Sequence, residues 1–165
     1  MEVREAIVKR RSHRKYQQRP IPEEVLSSLL DAVRLAPSGG NRQPWRFIVV
    51  TDAELRQQLV AACHNQQFIA EAPVVIIACA VPGTSERGAC VNLSIALDHL
   101  TLAAVEAGLG TCWIGAFSEP DVRSLLQIPE DVRVVMVMPV GYPADDPAPR
   151  PRKNKEEVFC FNSWQ

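Results

Sequence analysis

The sequence has no Cys-x-x-Cys pair, no Gly-x-Ser-x-Gly elbow and no two histidines at metal-ligand spacing. The first absence removes the common zinc and dithiol motifs, and the second removes the usual strand-to-helix serine nucleophile. The histidines are His13, His64 and His99, and no carboxylate cluster accompanies them, so no metal site is expected. Five cysteines, an odd number and widely spaced, argue against a disulfide frame and for reduced thiols in a cytoplasm. Neither charge dominates: 18 Lys and Arg stand against 19 Asp and Glu, a net −1, where a dedicated nucleic-acid binder is usually basic. No stretch of 18 apolar residues lacks charge, so no membrane span is expected. Met1-Glu2-Val3-Arg4-Glu5 has no cationic segment leading into an apolar one, so no secretory signal is expected either.

What is present is ordinary globular composition: 165 residues, 47% hydrophobic and 22% charged, enough for one domain with its own core. Residues 2–11 have helical composition and run into the basic cluster Lys9-Arg10-Arg11-Ser12-His13-Arg14-Lys15. Pro22 suits the first turn of a helix, and Val25, Leu26, Leu29, Leu30 and Val33 recur at helical spacing behind it. Residues 37–41 read as a loop. Residues 45–51 read as a strand, and 53–63 as a helix with Asp52 as its cap. The apolar run 73–81 predicts a central strand covered on both faces.

Thirteen of the nineteen residues 89–107 are apolar and keep to no single stripe. A helix apolar nearly all round must be covered all round, which predicts a helical dimer interface. Short strands are expected over 111–116 and 132–140, with a helix over 120–126 between them. The tail is Pro- and Arg-rich, then ends in Phe159, Phe161 and Trp164, too apolar to stay free. Strands alternating with helices place the chain in a three-layered α/β or α+β class.

Four segments could carry chemistry. Arg10, Arg11, Ser12 and Arg14 offer forked donors and a hydroxyl suited to a phosphate, or simply a solvated helix end. Pro37-Ser38-Gly39-Gly40-Asn41-Arg42-Gln43 pairs glycines with neutral polar groups, or merely connects a helix to a strand. Gly108 to Gly115 leads from helix to strand, the reverse of the dinucleotide fingerprint, and otherwise reads as a helix cap. Arg150-Pro151-Arg152-Lys153 holds cations on an extended segment, or is a solvated linker. Cys112 reads as a buried small hydrophobe sooner than as a redox thiol.

The order of these segments resembles a short form of the nitroreductase family of flavoproteins. Arg-Arg-Ser-x-Arg comes first, then Pro-Ser-x-x-Asn-x-Gln-Pro-Trp, then Gly-Leu-Gly-Thr-x-Trp-Ile-Gly, then Gly-Tyr-Pro with Arg-x-Arg. The resemblance runs from about residue 4 to residue 155. It implies an α+β fold with a mixed central β-sheet flanked by helices, one domain over 1–165. It also implies an intertwined homodimer in which residues 142–165 dock on the partner subunit.

By resemblance, Arg10, Arg11 and Ser12 hold the phosphate and ribityl chain of FMN, and Arg14 faces the pyrimidine end as an electrostatic tuner. Arg150 and Arg152 close on the phosphate. Pro37, Ser38, Gly39, Asn41 and Gln43 reach the flavin of the other subunit, and Trp113, Ile114 and Gly115 lie by its redox edge. The implied activity takes hydride from NADH or NADPH and passes it, by a ping-pong mechanism, to nitroaromatics, quinones or related small acceptors. No acid–base side chain is demanded, because the chemistry belongs to the cofactor. A flavin sensor or store without turnover, and dehydrogenase or dehalogenase chemistry on the same scaffold, are the alternatives. Only nine residues separate Val81 from Val91, where many relatives carry insertions over the substrate side.

Overall fold

The computed structural model describes residues 1–83 and 85–164. Its centre is β2 (Val74–Ala80), in which every residue is buried. The strand pairs antiparallel on one side with β1 (Trp45–Val50) and on the other with β4 (Arg133–Gly141). The short β3 (Gly110–Thr111) completes a four-stranded sheet in the order β1-β2-β4-β3. Alternation along β2 divides two cores, as a pleated strand requires. Val74, Ile76, Ala78 and Ala80 face one helical layer, and Val75, Ile77 and Cys79 face the other.

The first layer is α2 (Glu23–Arg34) and α5 (Glu86–Glu106). Leu29 and Val33 of α2 meet Leu93, Ala96, Leu97, Leu100 and Ala104 of α5 over the sheet. The second layer is α3 (Ala53–Ala62), the single turn α4 (Phe68–Glu71) and α6 (Glu119–Leu125), where Leu59, Ile69 and Val122 are fully buried. Fully burying an apolar side chain of this size stabilises by roughly 1.5–3 kcal/mol, so the two cores dominate stability. The Asp52 carboxylate accepts from the Leu55 N–H at 2.8 Å and caps α3 as its sequence predicts.

The α+β class stands, with helices on both faces of one sheet. The ladder between strands is antiparallel throughout, and the parallel pairing is a single bridge, Ser12 to Thr111. Other boundaries differ from expectation. Helix α1 covers only Val3–Lys9, ending before Arg11, and α5 begins three residues before residue 89. The strand expected over 111–116 stops at Thr111 and touches β4 again only where Ile114 bridges Val137. The gap falls opposite Met138 and Pro139, and proline brings no amide to a ladder. A 3₁₀ turn at Gly39–Asn41 interrupts the expected loop, and α4 and α7 (Lys155–Val158) are too short to leave a periodic signal.

Helix α5 does have a buried stripe, running Ala89, Leu93, Ala96, Leu97, Leu100 and Ala104. Its remaining apolar residues are less covered: Val91 is 52% exposed, and Ile95, Leu102 and Val105 are half-buried. Arg87–Glu106 is also long and apolar enough to cross a membrane by length and composition, but its packing against α2 and the sheet makes it a core helix.

At Gly141 the end of β4 passes so close to its neighbours that a Cβ would stand 2.6 Å from Pro73 Cδ and 2.9 Å from Tyr16 Cδ1. Both are ring atoms in packed surroundings. Gly141→Ala is therefore expected to destabilise by about 1–3 kcal/mol. Gly39→Ala, where a Cβ meets nothing within 4 Å, should stay within about 0.5 kcal/mol. Urea denaturation of both variants measures the contrast.

Candidate functional site

Two of the four predicted segments, the N-terminal basic cluster and the stretch 108–115, meet at the β3 end of the sheet. Residues 12–17 run along that end, tied on one side to β3 and on the other to the chain leaving β4. Ser12 bridges Thr111, and the His13 N–H donates to the Thr111 carbonyl at 3.0 Å. Tyr16 bridges Pro143, the Gln17 N–H donates to the Tyr142 carbonyl, and the Ala144 N–H donates to the Lys15 carbonyl. The Tyr16 hydroxyl donates to the His13 carbonyl at 3.0 Å, and burial raises the tyrosine's pKa so that it stays neutral. Arg19 lies over the Tyr142 ring, 3.8 Å from its centroid.

Asp145 closes this arrangement. Its Oδ1 lies 2.7 Å from His13 Nδ1, and its Oδ2 accepts from the Arg14 backbone N–H at 3.0 Å. The His13 ring rests on Gly110, where a Cβ would stand 2.6 Å from the imidazole Cδ2. Burial pushes the Asp145 carboxyl up, but the Arg14 N–H and His13 outweigh it and hold the group below its ordinary value. Neither His13 nor Asp145 was among the residues expected at the site. Their sequence separation leaves no local pattern to find.

The basic residues differ in what they do. The Arg11 guanidinium donates to the Val8 and Arg10 carbonyls at 2.7 and 2.9 Å and so closes the C-terminus of α1. Arg10 and Arg14 donate no side-chain hydrogen bond to the described residues, and the Arg14 side chain lies at the surface. Arg150 and Arg152 are not brought to this cluster. They lie on the exposed tail, and Arg152 donates only weakly, at 3.4 Å, to the Arg150 and Pro151 carbonyls.

Loop 37–43 forms a second unit. The Gly39 N–H donates to Asn92 Oδ1 of α5 at 3.1 Å, the Asn41 N–H to the Ser38 carbonyl, and the Gln43 N–H to Ser38 Oγ at 2.9 Å. Gln43 Nε2 reaches back to Asn41. Asn41 and Gln43 both have positive φ, 51° and 49°, which costs of order 1–3 kcal/mol per non-glycine residue. Strain of this kind is characteristic of loops shaped for a ligand. Pro37 is exposed beside them.

In the third segment Ile114 is fixed by paired hydrogen bonds with Val137, at 2.9 and 3.2 Å. Gly115 behind it is exposed, and a Cβ there would meet nothing within 4 Å, so its backbone is open to an approaching ligand. Half-buried Trp113 lines a cavity of about 390 Å³ with Ile95, Asp98 and His99 of α5. Cys112 is 2% exposed with its thiol pushed up by burial, which suits the apolar role expected of it.

The model of the nitroreductase family matches residues 7–78 and 60–142. The chain belongs to the nitroreductase family. A Methanothermobacter thermautotrophicus protein is 39% identical over 160 residues, which cover 91% of this chain and 82% of that protein; its name pairs NADH dehydrogenase with NAD(P)H nitroreductase. An iodotyrosine deiodinase of Thermotoga neapolitana is 30% identical, with 94% of this chain and 95% of that protein covered. Among solved structures, the NADPH:FMN oxidoreductase of Vibrio harveyi complexed with NAD+ superposes with a TM-score of 0.93 at 28% identity, covering 99% of this chain and 78% of that one.

The direction of the Asp145 shift fixes an acid dependence. A carboxyl held below its ordinary value contributes stability that is complete above the unfolded pKa and is lost as pH falls through the folded one. Asp145→Asn should cost about 1–3 kcal/mol at neutral pH. The gap to the parent should close as the pH drops below about 3.9. Unfolding curves of both proteins across that range measure it, and a gap that widens in acid contradicts the sign.

Proposed function

We propose that this protein is an FMN-dependent oxidoreductase that takes hydride from NADH or NADPH and reduces nitroaromatic, quinone or related small acceptors in alternating half-reactions. The observation that carries the proposal is the convergence of Ser12, Arg14 and the 110–115 segment on one end of the sheet, in a chain of this family. A relative named FMN reductase [NAD(P)H], from Bacillus subtilis, is 30% identical over 95% of this chain.

The residues present fit FMN. Its phosphate asks for cations and a hydroxyl, and Arg10, with an uncommitted guanidinium, stands beside Ser12. Its ring asks for backbone that can approach closely, and Gly115 offers that. When bound, FMN accepts hydride from NAD(P)H and returns the two electrons to the acceptor.

The chain's own residues hold the ring, exclude water and set the local charge. Arg14 would supply a positive charge beside the ring, and Gly115, held by the Ile114–Val137 pair, would present backbone without a side chain. Loop 37–43 reaches the flavin of the other subunit, so Pro37, Ser38, Gly39, Asn41 and Gln43 complete a site that one chain does not close. Trp113 borders it.

Three features support an intertwined homodimer. The outer residues of α5 are incompletely covered. Val3, Ile7 and Val8 of α1 are 69%, 57% and 63% exposed. In the tail, Phe159, Phe161 and Trp164 are 61%, 84% and 96% exposed. Residues 142–145 stay bound to their own chain, so the part of the tail that would dock on the partner begins after Asp145; docking it would cover these rings and carry Arg150 and Arg152 to a phosphate. The odd number and wide spacing of the five cysteines support a reducing cytoplasm. Likeness to the iodotyrosine deiodinase favours reductive dehalogenation of a halophenol as a second reading.

An anaerobic titration with NADH and with NADPH should bleach the bound flavin rapidly, after which a quinone, a nitroaromatic and a halophenol compete to reoxidise it. Slow or absent bleaching would leave a flavin store rather than an enzyme. Arg14→Ala should lower the flavin midpoint by about 30–60 mV, one to two tenfold steps for a two-electron couple. Arg152→Ala should chiefly weaken FMN binding; identical profiles for the two variants would reject this division of roles.

A further inference from the structure

Asp145 spends both carboxylate oxygens on one short stretch of chain more than 130 residues earlier, Oδ1 on the His13 ring and Oδ2 on the Arg14 amide. The contact is well covered, with the His13 side chain 14% exposed and that of Asp145 23%. His13 is held at every other point as well. Its N–H donates to Thr111, its carbonyl accepts from Tyr16, and its side chain packs so closely on Gly110 that a Cβ there would clash. Arg14 therefore leaves a tightly held backbone, while its exposed guanidinium makes no hydrogen bond or ion pair to the described residues. A charge meant to act at a fixed point needs its supporting groups locked in this way, since a displacement of about 1 Å is enough to forfeit the effect.

Resting on the flavin reading above, we infer that Asp145, through the Arg14 amide and the His13 ring, is a positioning residue that fixes where the Arg14 charge stands and so tunes the bound flavin. Neither Asp145 nor His13 touches the reacting atoms in this account. The alternative is a tertiary clip whose loss is felt only in stability, and the sign of the redox shift separates the two. Removing a nearby carboxylate while Arg14 stays in place makes the site more positive and raises the flavin midpoint. Losing the position of Arg14 lowers it.

The test compares Asp145→Ala, Asp145→Asn, Arg14→Ala and the Arg14→Ala/Asp145→Ala double variant, each loaded with FMN, by dye-coupled redox titration. The midpoint should fall in Asp145→Ala. In Asp145→Asn, whose amide oxygen still accepts from the Arg14 N–H, it should stand above the value for Asp145→Ala. It should fall no further in the double variant than in Arg14→Ala, because a positioning residue has nothing left to position. Hydrogen exchange of the Arg14 amide in FMN-free protein should quicken in Asp145→Ala.

A raised or unmoved midpoint in Asp145→Ala, or additive shifts in the double variant, overturns the inference while leaving the flavin reading intact. Should Asp145→Ala fail to fold, Asp145→Val, which likewise leaves the Arg14 N–H without its acceptor, carries the same sign. A parent protein that takes up no FMN removes the flavin reading and this inference with it, whereas an Arg14→Ala variant with an unmoved midpoint removes the role of Arg14 and this inference alone.

Discussion

Residues 12–17 occupy the β3 end of the sheet because two other parts of the chain make room for them. Glycine at 110 lets the imidazole of His13 lie on the strand, and glycine at 141 lets Tyr16 and Pro73 close over the end of β4. Main-chain hydrogen bonds to Thr111 and Tyr142 then fix the segment along both edges. The part of the proposed cofactor site that one chain brings together depends on this docking, since Ser12 and Arg14 belong to the docked stretch and the 110–115 segment is what it docks on.

The docking is cheap only because the sheet beneath it is rigid. A strand buried along its whole length between two helical layers cannot shift without disturbing both cores. The bulge between Ala78 and Cys79, which skips one residue of β4, lets Val134 and Val137 face the second core while Met138 and Val140 face the first. Ile114 is pinned to Val137 at the same place. The backbone at Gly115 is thus held by the core although it lies at the surface.

Much of this was legible in the sequence where the signal is local. The apolar run of β2, the Asp52 cap and the helical stripe of α2 each depend on neighbours within a few residues, and each formed as expected. The position of β3 was legible, but its length was not, since that is set by what β4 offers opposite it. The pairing of His13 with Asp145 was invisible for a different reason: a histidine in a basic cluster and an aspartate in a Pro-rich tail carry no mark of each other. Arg11 illustrates the converse. The family resemblance assigns it to a phosphate, whereas in the single chain its guanidinium closes α1.

The family supplies the chemistry, and the geometry indicates which residues of this chain would serve it. One chain leaves that work incomplete. Its loop 37–43, its outer α5 residues and its aromatic tail all present surface that a second copy would cover, and the arginines of the tail stay apart from those of the N-terminal cluster. Sedimentation velocity recorded at both protein and flavin wavelengths tests this most directly. The account predicts a single boundary of two chains that carries flavin at one per chain. Flavin travelling with a folded single chain would contradict it.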